Sequence, residues 1–291
     1  MNSIKIKAYA KINIGLDVLK KREDGYHEVS MIMQSVNLYD TLTISRYKKG
    51  ALKLVTDLPW LPADSRNIVY KAADLFRTAL GIQDGIRIVL KKMIPVAAGM
   101  AGGSSDAAAA LSGLNRLFRT GLSLQELQTM GVKLGADVPY CLMLGTALSE
   151  GIGELLTPLK PMPDCHILLV KPDISVSTKY VYEHLNLSAD FPHPDIPGML
   201  QAIEAGSLKK LASLMDNLLQ TVTVKEYPII EEIKRRMKEQ GALTSLMSGS
   251  GPTVFGIYDS LTAAKAAYQC FLMSDYGKTV YLTKPYRPQF E

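Results

Sequence analysis

The sequence is poor in cysteine, with only three in 291 residues. Cys141, Cys165 and Cys270 lie far apart and form no CxxC pair. An odd number of widely separated thiols argues against a disulfide framework or a cysteine-ligated zinc site and is typical of reduced thiols in the cytosol. We therefore expect a cytoplasmic protein.

Long apolar runs are also lacking. The amino-terminal segment carries Lys5, Lys7 and Lys11 among its apolar residues, whereas a signal peptide needs an unbroken apolar stretch. The uncharged stretches Met93–Ser105 and Val138–Ser149 contain glycine and are too short to span a bilayer. We expect neither a secretory leader nor a membrane partner.

No strong excess of one charge is present, since 33 Lys and Arg face 28 Asp and Glu, for a net charge of +5. This mild basic bias suits anionic ligands. The cations are not clustered with interleaved aromatic residues, so we expect no nucleic-acid partner. An RNA-binding protein is the alternative, and RNA binding that weakens steeply with salt would support it. Neither an internal repeat nor a low-complexity tract is present.

The length is close to the limit for one hydrophobic core, which favours two domains. Proline density rises at Pro158–Pro163, and we place a boundary there, with domains at 1–160 and 161–291. Period-two alternation predicts strands near 4–11, 29–33 and 85–92, and short segments at 40–45, 166–170 and 253–258 are further strand candidates. Apolar spacings of three and four predict helices at 67–80, 122–134, 208–219, 229–240 and 261–273. This alternation indicates an α/β or α+β protein.

The most unusual stretch is the glycine-rich segment Gly99–Asp106, which leads into an alanine-rich helix. Glycines allow close backbone approach to a ligand, and a helix amino terminus favours phosphate. Ser104, Ser105 and Asp106 carry the side-chain acceptors that usually begin helices. Because no Lys follows Ser104, and because GxGxxG and His-Arg-Asp are absent, the P-loop, dinucleotide fold and protein kinases do not fit. A tight turn without a ligand is the alternative.

Three other positions are ambiguous by themselves. Lys11 can be a solvated strand residue, Asp137 before Val-Pro can be a turn residue, and Gly25–His27 can be a turn with two aromatic rings. Neither composition nor spacing places Lys11 near Asp137.

Ordered blocks of sequence resemble the GHMP small-molecule kinase superfamily. They are AYAKINIGLDV at 8–18, PVAAGMAGGSSDAAAAL at 95–111 and MSGSGPTVF at 247–255. Further blocks, at 22–42, 135–140 and 176–182, are similar to the branch that phosphorylates a cytidine diphosphate-linked methylerythritol in isoprenoid precursor synthesis. The similarity runs nearly from end to end. It implies an α+β, two-lobe GHMP kinase fold, with an amino-terminal lobe similar to ribosomal protein S5 domain 2 and a ferredoxin-like carboxy-terminal lobe.

The resemblance also implies residue roles. Lys11 and Asp137 correspond to catalytic residues, and Ser105 is a candidate ligand for Mg²⁺. The ATP-binding residues would be Pro95, Val96, Ala97, Ala98, Gly99, Met100, Ala101, Gly102, Gly103, Ser104 and Ser105. The substrate-binding residues would be Asn13, Tyr26, His27, Tyr182, Ser248 and Gly249. Tyr180 is the alternative to Tyr182 for stacking on the base.

The implied activity is ATP- and Mg²⁺-dependent transfer of phosphate to the 2-hydroxyl of that small molecule, by a monomer or weak homodimer. Two rivals keep the fold. One is a kinase for another alcohol, such as homoserine or a mevalonate derivative, which has no base for the aromatic residues to stack on. The other is a non-catalytic nucleotide-binding relative, against which the presence of Lys11 and Asp137 argues.

Overall fold

The structure, a computed structural model, describes residues 2–187, 191–277 and 279–288. These residues form ten strands and ten helices, so the α+β prediction is confirmed. The strands are β1 (Ser3–Lys21), β2 (His27–Tyr47), β3 (Leu52–Thr56), β4 (Gly85–Lys91), β5 (Thr146–Glu150), β6 (Leu155–Pro158), β7 (His166–Lys171), β8 (Thr244–Met247), β9 (Val254–Tyr258) and β10 (Thr279–Thr283). The helices are α1 (Ile68–Ala79), α2 (Gly102–Phe118), α3 (Leu124–Val132), α4 (Val138–Met143), α5 (Thr178–Glu183), α6 (Ile196–Glu204), α7 (Leu208–Leu214), α8 (Gln220–Glu226), α9 (Ile229–Glu239) and α10 (Leu261–Leu272). No helix within these ranges is long and apolar enough to cross a bilayer.

The chain forms two compact units that do not follow chain order. Unit 1 comprises the described residues of Met1–Ala10, Leu38–Val96 and Ala101–Met143. Unit 2 comprises those of Lys11–Asn37, Ala97–Met100 and Leu144–Glu291. Strands β1 and β2 and the glycine-rich segment therefore contribute residues to both units. The boundary between domains near residue 160 stays a prediction.

In unit 1, helices cover a small sheet. The second half of β2 pairs antiparallel with β4, from Thr41 opposite Lys91 to Tyr47 opposite Gly85, and β3 runs parallel to β4. Helix α2 packs closely on this sheet because its inner face is built from small residues. A Cβ added to Gly113 would lie 2.5 Å from Ile44 Cδ1, so a larger residue there would require the Ile44 side chain to move. The alanine-rich sequence of α2 thus sets its distance from the sheet.

In unit 2, four antiparallel strands pair in the order β10-β7-β9-β8. If these four strands are numbered 1 to 4 in chain order, beginning with β7, the order in the sheet is 4-1-3-2. Helices α9 and α10 pack on this sheet. Strands and helices in this succession make the ferredoxin-like arrangement. The first half of β2 pairs with β5, and β5 pairs with β6.

The helices predicted over 67–80, 122–134, 229–240 and 261–273 are confirmed as α1, α3, α9 and α10 to within two residues at each end. The helix predicted over 208–219 is wrong in its second half, because α7 ends at Leu214. The following residues pair with β1 instead: Leu16 N–H donates to Asp216 O, and Leu218 N–H donates to Leu16 O. The strands predicted at 29–33 and 40–45 are parts of one strand, β2.

Candidate active site

The glycine-rich segment, taken from here on as the candidate ATP-binding residues Pro95–Ser105, connects β4 to α2 and has an unusual backbone. Ala97, Gly99 and Ala101 all have positive φ, of 52°, 71° and 53°, while Ala98 and Met100 between them do not. Left-handed residues that alternate with others turn successive N–H groups into a concave nest that binds anions. Two of the three are alanine, which reaches this conformation only at an energetic cost, a feature that concentrates at functional sites.

The amino terminus of α2 has no side-chain cap, so the prediction that Ser104, Ser105 and Asp106 cap this helix is wrong. The helix begins at Gly102, after Ala101, and no side chain bonds to its first N–H groups. Ser105 is buried and donates its hydroxyl hydrogen to Tyr9 O instead, and Asp106 accepts from Lys92. The first N–H groups of α2 are left for a ligand, and the terminus carries partial positive charge. Both properties fit a phosphate.

A second loop, Met247–Pro252 between β8 and β9, contacts the glycine-rich segment within unit 2. Ser248 Oγ donates to Gly99 O at 2.9 Å and accepts from the backbone N–H of Asn13 at 3.4 Å. The backbone of Gly249 passes close to Gly99 as well, since a Cβ on Gly249 would lie 3.3 Å from Gly99 O. The structure thus brings together three of the predicted site segments.

Lys11 lies against the same group. Its backbone N–H donates to Met100 O at 3.2 Å, and its Nζ donates to Asn13 Oδ1 at 2.6 Å. The side chain is almost fully buried. Asn13 Nδ2 lies 3.4 Å from Met31 Sδ, which holds the amide so that its oxygen faces Lys11. The predicted catalytic lysine is therefore fixed beside the predicted phosphate-binding segment.

Asp137 belongs to unit 1 and is half-buried. It directly precedes α4, and its carbonyl oxygen accepts from Cys141 N–H at 3.0 Å, in the first turn of that helix. The pairing of Asp137 with Lys11 stays a prediction.

The aromatic residues of the predicted base site come together in unit 2. The rings of His27 and Tyr182 have centroids 5.1 Å apart. Tyr26, beside His27, is 61% exposed, on a turn held by the Arg22–Asp24 ion pair and by Asp24 Oδ1 accepting from Tyr26 N–H. The turn therefore presents a solvated ring next to the His27–Tyr182 pair.

The pKa of His27 is lowered from its usual 6.5 by burial of the ring, with a smaller contribution from the charge of Lys21. A neutral imidazole has one donor and one acceptor nitrogen, which suits the mixed donor and acceptor edge of a pyrimidine base. Tyr180 is oriented differently: it stacks on His184 at a centroid distance of 3.8 Å, and its hydroxyl donates to Glu226. The geometry favours Tyr182 over Tyr180 as the stacking residue.

Sequence reasoning missed Asn217, which is buried and shapes the second loop. Its Nδ2 donates to Met247 O and Gly249 O, both at 2.8 Å. The residue lies inside the segment predicted as helix 208–219, so no local pattern could indicate this role. Another missed cluster is the buried Asp40, Lys92 and Asp106 group at the two ends of the glycine-rich segment.

Comparison with known proteins shows the family to which the chain belongs. The family model of the GHMP kinases N-terminal domain matches residues 67–145, and that of the GHMP kinases C-terminal domain matches residues 199–272. The chain is 55% identical over 284 residues to 4-diphosphocytidyl-2-C-methyl-D-erythritol kinase of Lachnoclostridium phytofermentans, covering 98% of each chain. It is 50% identical to the protein of the same name in Lachnospira eligens, over 99% of this chain and 100% of the other.

Solved structures show the same fold. A 4-(cytidine 5'-diphospho)-2C-methyl-D-erythritol kinase superposes with a TM-score of 0.83 at 32% identity, over 98% of this chain and all of the other. A homoserine kinase from Cytophaga hutchinsonii, at 21% identity, superposes with a TM-score of 0.78 over 98% of this chain and 95% of the other, which shows the fold alone. The predicted GHMP kinase fold is confirmed. The chain belongs to the GHMP kinase family, among the 4-diphosphocytidyl-2-C-methyl-D-erythritol kinases.

Proposed function

We propose that this chain transfers the γ-phosphate of ATP to the 2-hydroxyl of 4-diphosphocytidyl-2-C-methyl-D-erythritol, in isoprenoid precursor synthesis. The observation that supports this choice of substrate is the aromatic cluster of Tyr26, His27 and Tyr182. A phosphate-binding loop is expected in any kinase of this family, but a cytosine base needs a stacking face and a neutral group at its edge. Substrates without a base, such as homoserine or mevalonate derivatives, give these residues nothing to bind.

The reaction is an in-line displacement, in which positioning and charge stabilisation dominate. The 2-hydroxyl oxygen bonds to the γ-phosphorus, the bond from that phosphorus to the β,γ-bridging oxygen breaks, and ADP leaves. Asp137 accepts the hydroxyl proton as the general base, the role that its correspondence to the family's catalytic aspartate implies. Lys11 faces the attacking and transferring oxygens with its charge, and Asn13 fixes the direction of its ammonium group.

The glycine-rich segment Pro95–Ser105 receives the phosphates through its N–H groups and the uncapped start of α2. Mg²⁺ neutralises charge on the phosphate oxygens when it is bound. The Ser105 oxygen would hold the ion: its hydrogen is directed to Tyr9 O, which leaves oxygen lone pairs for a hard cation. A requirement for Mg²⁺, a cytoplasmic location and a monomer or weak homodimer stay predictions.

Phosphorus NMR of the protein with ATP, Mg²⁺ and 4-diphosphocytidyl-2-C-methyl-D-erythritol tests the proposal. We expect a new phosphomonoester signal that grows as ADP appears. Homoserine and mevalonate, assayed in parallel, should give no phosphomonoester. If ATP stays intact with the cytidine substrate but homoserine or mevalonate is phosphorylated, the protein is a kinase of the same fold with another substrate. ATP intact with all three, together with RNA binding that weakens steeply with salt, would instead support the RNA-binding alternative.

A further inference from the structure

A buried charged cluster in unit 1 takes no part in the chemistry above. Lys92 is 5% exposed at its side chain and lies between the carboxylates of Asp40 and Asp106, which are 0% and 3% exposed. Its Nζ donates to Asp40 Oδ2 and, at 2.7 Å, to Asp106 Oδ2. The three side chains come from β2, the residue directly after β4 and the first turns of α2.

These residues flank the glycine-rich segment on both sides. Asp40 Oδ1 accepts the backbone N–H groups of Met93 and, at 2.8 Å, of Ile94, the last residues before Pro95. Asp106 directly follows Ser105, where the segment ends. The Asp40 carboxylate therefore contacts the backbone before the segment directly, and it is linked to Asp106 after the segment through Lys92. The two ends lie close together: a Cβ added to Gly102 would be 3.0 Å from Ile94 Cγ2 and 3.4 Å from Lys92 Nζ.

Stability alone is a poor reason for this arrangement. Two carboxylates and an ammonium group are removed from water, and replacing buried ion pairs by apolar groups is often neutral or stabilising. Asp106 Oδ1 is buried and has no hydrogen-bond partner among the described residues.

The segment between the two ends needs restraint. Ala97 and Ala101 are held at positive φ, which alanine leaves when its surroundings do not enforce it. We propose that Asp40 and Lys92 are positioning residues for nucleotide binding, which fix both ends of Pro95–Ser105 so that its strained backbone keeps the conformation that receives the ATP phosphates. This inference rests on the proposed function of the segment.

Two variants of nearly unchanged side-chain size separate the hydrogen bonds of Asp40 from the packing of the cluster. In Asp40→Asn, one carboxylate oxygen becomes an NH₂ group, and both oxygens of Asp40 accept from donors, so one end of the segment must lose its anchor. Asp106→Asn is the matched control: it keeps an oxygen for Lys92 and places the amide nitrogen at the position that has no partner.

The readout is the dissociation constant of a non-hydrolysable ATP analogue, measured by calorimetry and independent of turnover. We expect Asp40→Asn to weaken binding at least tenfold, and Asp106→Asn to stay within threefold of the wild-type value. In steady-state assays Asp40→Asn should raise the KM for ATP, with the KM for the cytidine substrate within twofold. Loss of stability alone would lower the concentration of active protein and the melting temperature, without this change in affinity.

If Asp40→Asn does not fold, Lys92→Gln is measured. It leaves the contacts of Asp40 with Met93 and Ile94 intact and removes the charged link to Asp106, and we expect at least threefold weaker binding of the analogue. If Asp40→Asn folds and binds the analogue with wild-type affinity, the inference is overturned. If Asp40→Asn does not fold, wild-type affinity of Lys92→Gln overturns it. Failure of the wild-type protein to bind the analogue would count against the proposed function, a result separate from either variant's.

Discussion

Replacement of Gly99 by alanine is the sharpest test of the geometry of the glycine-rich segment. Gly99 has a φ of 71°, and a Cβ built there would lie 2.2 Å from the carbonyl oxygen of Ser248. Ordinary contact needs more than 3 Å, so the two backbones must separate by about 1 Å. That movement breaks the hydrogen bond from Ser248 Oγ to Gly99 O, which is 2.9 Å long.

The magnitude follows from these two effects. A left-handed alanine costs about 1–2 kcal/mol relative to glycine. A lost buried hydrogen bond costs about 0.5–1.5 kcal/mol net. We therefore expect Gly99→Ala to lower the free energy of unfolding by about 1.5–3.5 kcal/mol. Displacement of the phosphate-binding backbone by about 1 Å should also lower kcat/KM by about 10²-fold.

Gly103→Ala is the control for stability, because it lies four residues away in the same segment. A Cβ there would be 3.6 Å from Ile68 Cγ2, an ordinary contact, and Gly103 lies in the first turn of α2 without positive φ. Its effect should be between zero and a gain of about 1 kcal/mol, since alanine restricts the unfolded chain. Urea unfolding of both variants measures the change in stability, and a coupled assay of ADP release measures kcat/KM. Equal stability of the two variants would refute the steric reasoning.

Three further outcomes are expected. Asp137→Asn should lower kcat by about 10²–10⁴-fold with little change in the KM for ATP, measured by ADP release, and turnover near the wild-type rate would exclude Asp137 as the base. Tyr182→Ala should raise the KM for the cytidine substrate by about 5- to 100-fold through lost stacking, whereas Tyr180→Ala, on the same helix, should leave it unchanged. Because the pKa of His27 is lowered, affinity for the cytidine substrate should be constant above pH 6.5 and fall only as the pH drops below that value, when the imidazole becomes charged. A fall in affinity that begins above pH 7 would argue against a neutral His27 at the base.

Local periodicity predicted helices well where one apolar stripe faces one sheet, as in α9 and α10. It failed where polar residues are buried. Strand β2 looked like two short strands because Gln34, Ser35 and Asp40 interrupt the apolar pattern, yet all three are buried with partners distant in sequence. Gln34 accepts from Thr146 at 2.6 Å, and Ser35 Oγ accepts from the N–H of Gly145 at 3.1 Å. A pattern rule treats such residues as exposed, because the groups that satisfy them are distant in the sequence: more than a hundred positions away for Gln34 and Ser35, and more than fifty for Asp40.

The candidate site shows a similar division. Resemblance to a family predicted which residues to examine, and the structure supplied what composition and spacing could not: Lys11 beside the glycine-rich segment, and Tyr182 rather than Tyr180 beside His27. Asn217 could not be predicted, because its role depends on the early end of α7 at Leu214 and on contacts with a loop that is distant in the sequence.

The start of α2 shows why a correct motif can still mislead. Ser104, Ser105 and Asp106 have the side chains that cap helices, and the sequence therefore predicted a capped terminus. Capping preferences count acceptors in the sequence but not the partners that compete for them, and here Tyr9 and Lys92 engage Ser105 and Asp106. A capped terminus would have satisfied the N–H groups that a phosphate needs. The departure from the local rule therefore leaves the helix terminus open to the phosphate contacts proposed above, and it depends on residues outside the motif, Lys92 among them.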